Sequence, residues 1–340
     1  MIKLKEIEQI TFKELERRYP FILSFFESNQ IDVENNGHKT LNEYFAGFSE
    51  EEKEEWAIDP EQVKQAMEAY LNQMIVFLGL GQDQVEELTI LPGKDKAGNK
   101  ENFTQLRVKK SEIISIVGPT GAGKSRLLAD IEWVADKDTP TERTILINGE
   151  LPDKSIRYTA GKKLVAQLSQ NMNFVMDLTV KEFLELHAKS RMVENAEEVI
   201  ERIIQAANQL SGEKFNLDTP ITSLSGGQSR ALMIADTAIL STSPIVLIDE
   251  IENAGIDRKR ALNLLVGEEK IVLMATHDPT LALMADRRII INNGGISQVT
   301  ETSPEEKTLL KELEKIDGIL TGFRSDLRMG KKLTNKLDPT

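Results

Sequence analysis

The chain of 340 residues contains no cysteine, only three histidines and no long apolar run. Without thiols there are no disulfides, zinc-thiolate sites, Cys-ligated iron–sulfur clusters or thiol nucleophiles. His38, His187 and His277 are far apart in sequence, which argues against a histidine-rich metal site. The longest apolar stretches, near residues 74–80 and 113–117, fall well short of the roughly 18–20 residues needed to cross a bilayer. The first residues alternate charge with apolar side chains and have no continuous signal-peptide core. A cytoplasmic chain is expected, peripheral at the inner face of a membrane if a membrane partner holds it. Positive charge is also in deficit, with 42 Lys+Arg against 55 Asp+Glu and a net charge of −13. That balance lacks the basic footprint of a nucleic-acid binder, so no nucleic-acid partner is expected.

What is present suffices for a sizeable core: 40% of residues are hydrophobic. At about 100–200 residues per domain, the length predicts two domains or one large domain with appendages. Residues 1–82 read as an acidic all-helical domain. Thr11-x-x-Glu14, Thr40-x-x-Glu43 and Ser49-x-x-Glu52 have capping-box spacing, and Asp59-Pro60 places a cap before a first-turn proline, opening a helix to about Phe77. Residues 91–100, rich in Gly, Lys, Asp and Asn, predict an exposed loop or long hairpin. Beyond them, β-branched runs at 113–117, 144–148, 164–168, 245–248, 271–274 and 288–291 alternate with helical stretches, which predicts an α/β domain with a mainly parallel sheet. Ser303-Pro304-Glu305-Glu306 then opens a helical extension over 301–340. Its apolar positions Leu309, Leu313, Ile316, Leu320, Phe323 and Leu327 have heptad-like spacing interrupted by Gly318 and Gly322. Such a helix either packs back on its own domain or forms a dimer seam.

Gly118-Pro119-Thr120-Gly121-Ala122-Gly123-Lys124-Ser125, followed by Arg126, lies between a strand pattern and a helix pattern. Glycines let successive amides face inward, and a helix N-terminus adds positive potential where a triphosphate would lie. In such a P-loop, Lys124 is expected to contact the β- and γ-phosphates and Ser125 to ligate Mg²⁺. The run 245–248 ends in Asp249-Glu250, so two carboxylates emerge where ligands bind in parallel sheets. Asp249 suits Mg²⁺ coordination and Glu250 suits polarising an attacking water.

Between these motifs, Leu224-Ser225-Gly226-Gly227-Gln228-Ser229-Arg230 opens a further helix. It resembles the signature motif of ATP-binding cassette (ABC) ATPases. That resemblance spans about residues 86–300 and implies a P-loop NTPase fold over 83–300 with a helical subdomain at about 171–240. It implies Mg²⁺-dependent ATP hydrolysis by a head-to-tail homodimer in the ATP-bound state, in which Ser225, Gly226, Gly227 and Gln228 face the partner's γ-phosphate. Gln170 matches the family's glutamine loop, sensing Mg²⁺ and the attacking water. Thr179-Val180-x-Glu182-Phe183 is similar to the start of the helical subdomain, His277 matches the switch histidine, and Asp257 stands for the interface aspartate.

Three departures accompany the resemblance. The segment from Glu250 to Asp257 is one residue longer than usual, Asp236 replaces a common arginine, and only Phe103 is available upstream as an adenine-stacking ring. Residues from about 10 to 45 also resemble the helical N-terminal domain of iron–sulfur repair proteins. Val33-Glu34-Asn35-Asn36-Gly37 stands where those proteins carry cysteines, so only a scaffold carries over. Two roles are open. The favoured expectation is a soluble ATPase coupling closure and reopening to a protein partner docked on the N-terminal domain or tail; the alternative is the nucleotide-binding subunit of a transporter whose membrane-spanning subunits are separate chains.

Overall fold

The computed structural model describes residues 4–33, 35–49, 51–52, 59–77, 85–153, 163–169, 174–193, 195–250 and 255–333. Gln170 and residues 251–254 lie outside that set, as does residue 82, where the first domain boundary was expected.

Local signals in the N-terminal region produce the expected helices, Leu4–Ile7, Phe12–Arg18, Ile22–Ser28, Leu41–Ala46 and Pro60–Phe77. Thr40 and Glu43 form a reciprocal capping box, with Thr40 N donating to Glu43 Oε2 at 2.8 Å. The Asp59 carboxylate accepts from the amides of Glu61 and Gln62 at 3.0 and 3.2 Å, which starts the long helix at Pro60. Thr11 makes only half of its expected box. It accepts from Glu14 N at 3.4 Å, while the Glu14 carboxylate turns to Arg18 at 2.7 Å. Phe12, Phe25, Phe26, Leu41, Met67 and Leu71 bury together in the apolar centre of this region.

The central sheet contains β3 (Ile113–Val117), β5 (Val165–Leu168), β6 (Ile245–Asp249), β7 (Ile271–Ala275), β8 (Arg287–Asn292) and β9 (Gly295–Glu301). Their order is β5-β6-β7-β3-β8-β9, parallel except for the β8–β9 hairpin. Alternate residues of each strand serve opposite faces. Ile245, Leu247, Ile271 and Leu273 join Leu127 and Ile131 of the helix Lys124–Glu132 on one side, whereas Val246, Ile248, Val272 and Met274 pack against the helices Gly226–Ile239, Arg258–Gly267 and Pro279–Met284 on the other. A sheet covered on both faces explains the nearly unbroken apolar runs in β6 and β7.

A second sheet corrects the expectation for residues 144–148. β4 (Thr144–Ile147) does not join the parallel sheet; it pairs antiparallel with β1 (Glu87–Leu91), which also pairs with β2 (Leu106–Lys109). The helices Val180–Ser190, Ala196–Leu210 and Gly226–Ile239 share another apolar cluster around Leu184, Ile203, Ala207 and Leu232. Asp236, the replacement noted above, is buried there and pairs with His187 Nδ1 at 2.9 Å.

The C-terminal helix Pro304–Arg328 continues without a break across Gly318 and Gly322. It packs beside Pro279–Met284 and is ion-paired to the same unit through Arg288–Glu306 at 2.6 Å, Lys259–Glu314 at 2.8 Å and Arg258–Asp317 at 2.7 Å. Leu309, Ile316, Leu320 and Leu327 are exposed, whereas Leu310 and Leu313 are half-buried.

Candidate functional site

Parallel β3, β6 and β7 deliver the candidate residues to one edge. Ile116 and Asp249 both register with Ala275, so the ends of the three strands lie side by side. Gly118–Arg126 follows β3, Asp249 and Glu250 end or follow β6, and His277 follows β7. This is the carboxyl edge, where open parallel sheets hold their ligands.

Gly118, Gly121 and Gly123 have φ of +154°, +76° and +112°. A Cβ on Gly118 would come within 2.4 Å of Ile291 O, and one on Gly123 within 2.9 Å of Gly294 Cα, so side chains are excluded from the loop by backbone packed behind it. The helix Lys124–Glu132 begins with Gly123 as its cap and leaves its first amides without intrahelical partners. Buried Lys124 donates to Gly118 O at 3.0 Å and lies 2.8 Å from His277 Nε2. A lysine ammonium can only donate, so that contact requires a neutral imidazole with its proton on Nδ1. Ser125 and Arg126 are exposed at the rim.

Glu250 adopts φ +53°, a left-handed conformation unusual for a residue with a side chain, and its amide donates to Ala275 O at 3.1 Å. The chain therefore bends sharply right after β6, beside His277's strand. Serine hydroxyl and carboxylate oxygens of Ser125 and Asp249 form a hard-donor set of the kind Mg²⁺ takes. Gln170, the third expected Mg²⁺ ligand, lies outside the described residues.

Ser225 and Gln228 build a reciprocal capping box at the start of Gly226–Ile239, with Ser225 N donating to Gln228 Oε1 at 2.9 Å. Ser225 and Gly226 are exposed. Among the described hydrogen bonds and ion pairs, none joins these residues to Gly118–Arg126; Gly227 Cα instead sits 3.9 Å from where a Cβ on Gly255 would lie. Asp257 has a local task in this single chain, capping Arg258–Gly267 through Arg260 N at 3.0 Å.

Arg258 and three further groups around the site were not apparent from the sequence. Arg258 joins Asp278 at 2.6 Å and Asp317 at 2.7 Å, tying the C-terminal helix to the residue after His277. Burial raises the Asp278 carboxyl, but the Leu281 and Thr280 amides and the Arg258 charge outweigh it and hold the group below the usual carboxylate range. Glu101, Asp130 and Arg143 form a buried ion triad: Arg143 reaches Asp130 Oδ2 at 2.8 Å, and Glu101 Oε1 and Oε2 at 2.5 and 3.2 Å. Burial opposes the guanidinium charge, yet the two carboxylates more than offset this and push Arg143 above its ordinary value. The segment 91–100, expected as an exposed loop or long hairpin, pairs Lys94 antiparallel with Lys100 and is exposed over 96–100, and its base is anchored by this triad, since Glu101 also accepts Gly93 N at 2.7 Å. Lys96, within that segment, reaches the phosphate-loop candidate itself, donating to Gly121 O at 2.8 Å. Phe103 packs against the sheet core and leaves the adenine platform unassigned.

Comparisons with known proteins agree with this architecture. The sequence model of a family described as ABC transporter matches residues 102–253. An ABC transporter ATP-binding protein of Methanocaldococcus jannaschii is 51% identical over 253 residues, covering 74% of this chain and 97% of that protein. The bacitracin export ATP-binding protein BceA of Halalkalibacterium halodurans is 29% identical over 233 residues, 65% of this chain and 89% of its own length. Among solved structures, cbiO1 from Clostridium perfringens, part of the ABC transporter complex cbiONQ, aligns with TM-score 0.50 at 21% identity, over 73% of this chain and 97% of that one. At that identity the structural likeness speaks for the fold.

Proposed function

The chain belongs to the ABC transporter ATP-binding family and is an ATPase, and from that premise we propose that it is the nucleotide-binding subunit of an ABC transporter. The observation carrying this reading is the 51% identity to an ABC transporter ATP-binding protein over 97% of that relative's length. It favours the transporter over the soluble, non-transport ATPase that the fused helical region suggested. Among the described residues, no helix is long and apolar enough to cross a membrane. In this reading, separate membrane-spanning subunits complete the assembly, with this chain at the membrane's cytoplasmic face.

ATP phosphates lie in the cradle of residues 118–125, and Lys124 exchanges its contacts to Gly118 O and His277 for phosphate oxygens. Ser125 and Asp249, with Gln170, would hold Mg²⁺, which would offset charge on the β- and γ-phosphates. Glu250 orients a water for in-line attack on the γ-phosphorus; the bond to the β,γ-bridging oxygen breaks and the attacking water's proton passes to solvent through the carboxylate. Released from Lys124, His277 contacts the γ-phosphate edge by donating an Nε2–H to a phosphate oxygen. No described hydrogen bond or ion pair joins Ser225–Gln228 to their own phosphate loop, and in this reading they complete the site of a second copy, with Asp257 at the seam. Closing on ATP and reopening after phosphate release drives the membrane subunits.

The test is affinity purification of the chain from detergent-solubilised membranes of its native cells. An integral membrane partner that stays bound in detergent, and whose membrane vesicles lose ATP-driven uptake or export when Lys124→Ala replaces the parent, is the expected result. A complex recovered entirely from the detergent-free soluble fraction contradicts it.

A further inference from the structure

Among the described residues, Phe103 packs against the sheet core and leaves adenine without an assigned platform, yet the segment before it is firmly built. Asp95 Oδ1 accepts the amides of Ala97 and Asn99, each at 2.8 Å, and closes a tight turn. Lys96 projects from that turn. Its backbone N donates to Asn293 O at 2.8 Å, and its stem lies on Gly294, where a Cβ would come within 2.7 Å of Lys96 Cγ. Its ammonium donates to Gly121 O at 2.8 Å. Gly294 N donates to the next carbonyl, Ala122 O, at 2.7 Å. Asn293 and Gly294 have φ of +47° and +83°, the two-residue hairpin turn that lets β8–β9 press backbone against the loop.

Two successive carbonyls of the phosphate loop are therefore held from outside, one by a side-chain cation and one by an amide. A nest presents its amides inward only when its carbonyls turn outward. We propose that Lys96 is a positioning residue for phosphate binding, acting through the Gly121 carbonyl, and that segment 93–101 is the strut that delivers it. The strut's far end is fixed by Glu101, which accepts Gly93 N at 2.7 Å and Ile296 N at 2.5 Å while paired with Arg143. At the other end of the guanidinium, Asp130 belongs to the phosphate-loop helix. Strut, hairpin turn and helix thus share one buried charge network, and Lys96 is the exposed contact through which it reaches the loop.

This inference rests on residues 118–126 holding phosphate, and the experiment separates the two. Equilibrium binding of ATP and GTP and steady-state ATPase rates are measured on the full chain carrying Lys96→Met, Lys96→Arg or Lys124→Ala. Lys96→Met keeps the stem and removes the charge. It is expected to weaken ATP and GTP by the same factor, about three- to fivefold for a single exposed charged contact, to raise KM alike and to leave kcat within about twofold. Lys96→Arg restores binding. Lys96→Met with parental affinity, a loss confined to kcat, or a loss that Lys96→Arg does not restore overturns the proposal. If Lys124→Ala abolishes binding while Lys96→Met does nothing, Lys96 alone is misassigned; if Lys124→Ala binds ATP like the parent, the phosphate site itself is.

Discussion

The phosphate loop and the strut behind it meet at Gly121, but they are written into the chain in opposite ways. Residues 118–125 are consecutive, and their parts are set by local conformation or by a neighbour: glycines for positive φ, a lysine at the helix start, a serine at its rim. The strut depends on Glu101, Asp130, Arg143 and Gly294, which come from a loop, a helix, the residue before β4 and a hairpin turn. Local chemistry therefore announces the first in the sequence, and only tertiary packing assembles the second. Function in this site draws on both.

The sharpest way to break that comparison is to remove the strut's anchor. Arg143→Ala leaves the Glu101 and Asp130 carboxylates buried without their counter-ion, and Asp130 Oδ1 already lacks a hydrogen-bond partner. Losing one member of a buried ion network costs about 3–5 kcal/mol, so denaturant unfolding of the ATPase unit should shift by that amount. A shift under about 1 kcal/mol would mean that the triad behaves like a surface pair and that the strut is held some other way.

A smaller effect concerns the opposite flank of the site, where Asp278 links His277's segment to Arg258 and the C-terminal helix. Its folded carboxyl titrates below the ordinary carboxylate value. Such a group contributes stability that is fully present above the unfolded value, about pH 4, and is lost as pH falls through the folded value. Thermal unfolding followed from pH 5 to pH 3 should show a steeper acid loss in the parent than in Asp278→Asn, which retains a capping oxygen but no titrating charge. Parallel curves for the two proteins would remove Asp278 from the account of acid sensitivity.

The same contrast explains what could be read from the sequence. Thr40-x-x-Glu43, Thr179-x-x-Glu182, Ser225-x-x-Gln228 and Ser303-x-x-Glu306 all sit at helix starts, because a cap needs only residues three apart. β6 and β7 are unbroken apolar runs because both faces are covered. β1, β2 and β9 escaped notice: β2 is four residues alternating Leu106 and Val108 with Arg107 and Lys109, too short a period-two signal to stand out. β4 carries an apolar run like those of the parallel strands but pairs antiparallel with β1 in the smaller sheet, a choice its own residues do not encode. Asp236, which departs from the common arginine at its position, finds its partner in His187, 49 positions earlier. In the candidate site, Lys124 was expected from the phosphate-loop motif, Asp249 and Glu250 from their place at a strand end and His277 from the family resemblance, whereas Lys96, Arg143 and Arg258 were ordinary cations until their neighbours were known.

The most direct measurement concerns Glu250. Replacing it with glutamine keeps the side chain's size and removes the carboxylate that orients water, so ATP should bind and persist. Sedimentation of Glu250→Gln with ATP and Mg²⁺ is expected to give about twice the 38.2 kDa chain mass, collapsing to one chain mass when ADP replaces ATP, with hydrolysis reduced at least about a hundredfold. A variant that remains at one chain mass in ATP and hydrolyses it at the parental rate would contradict both the role of Glu250 and the ATP-closed pair of chains.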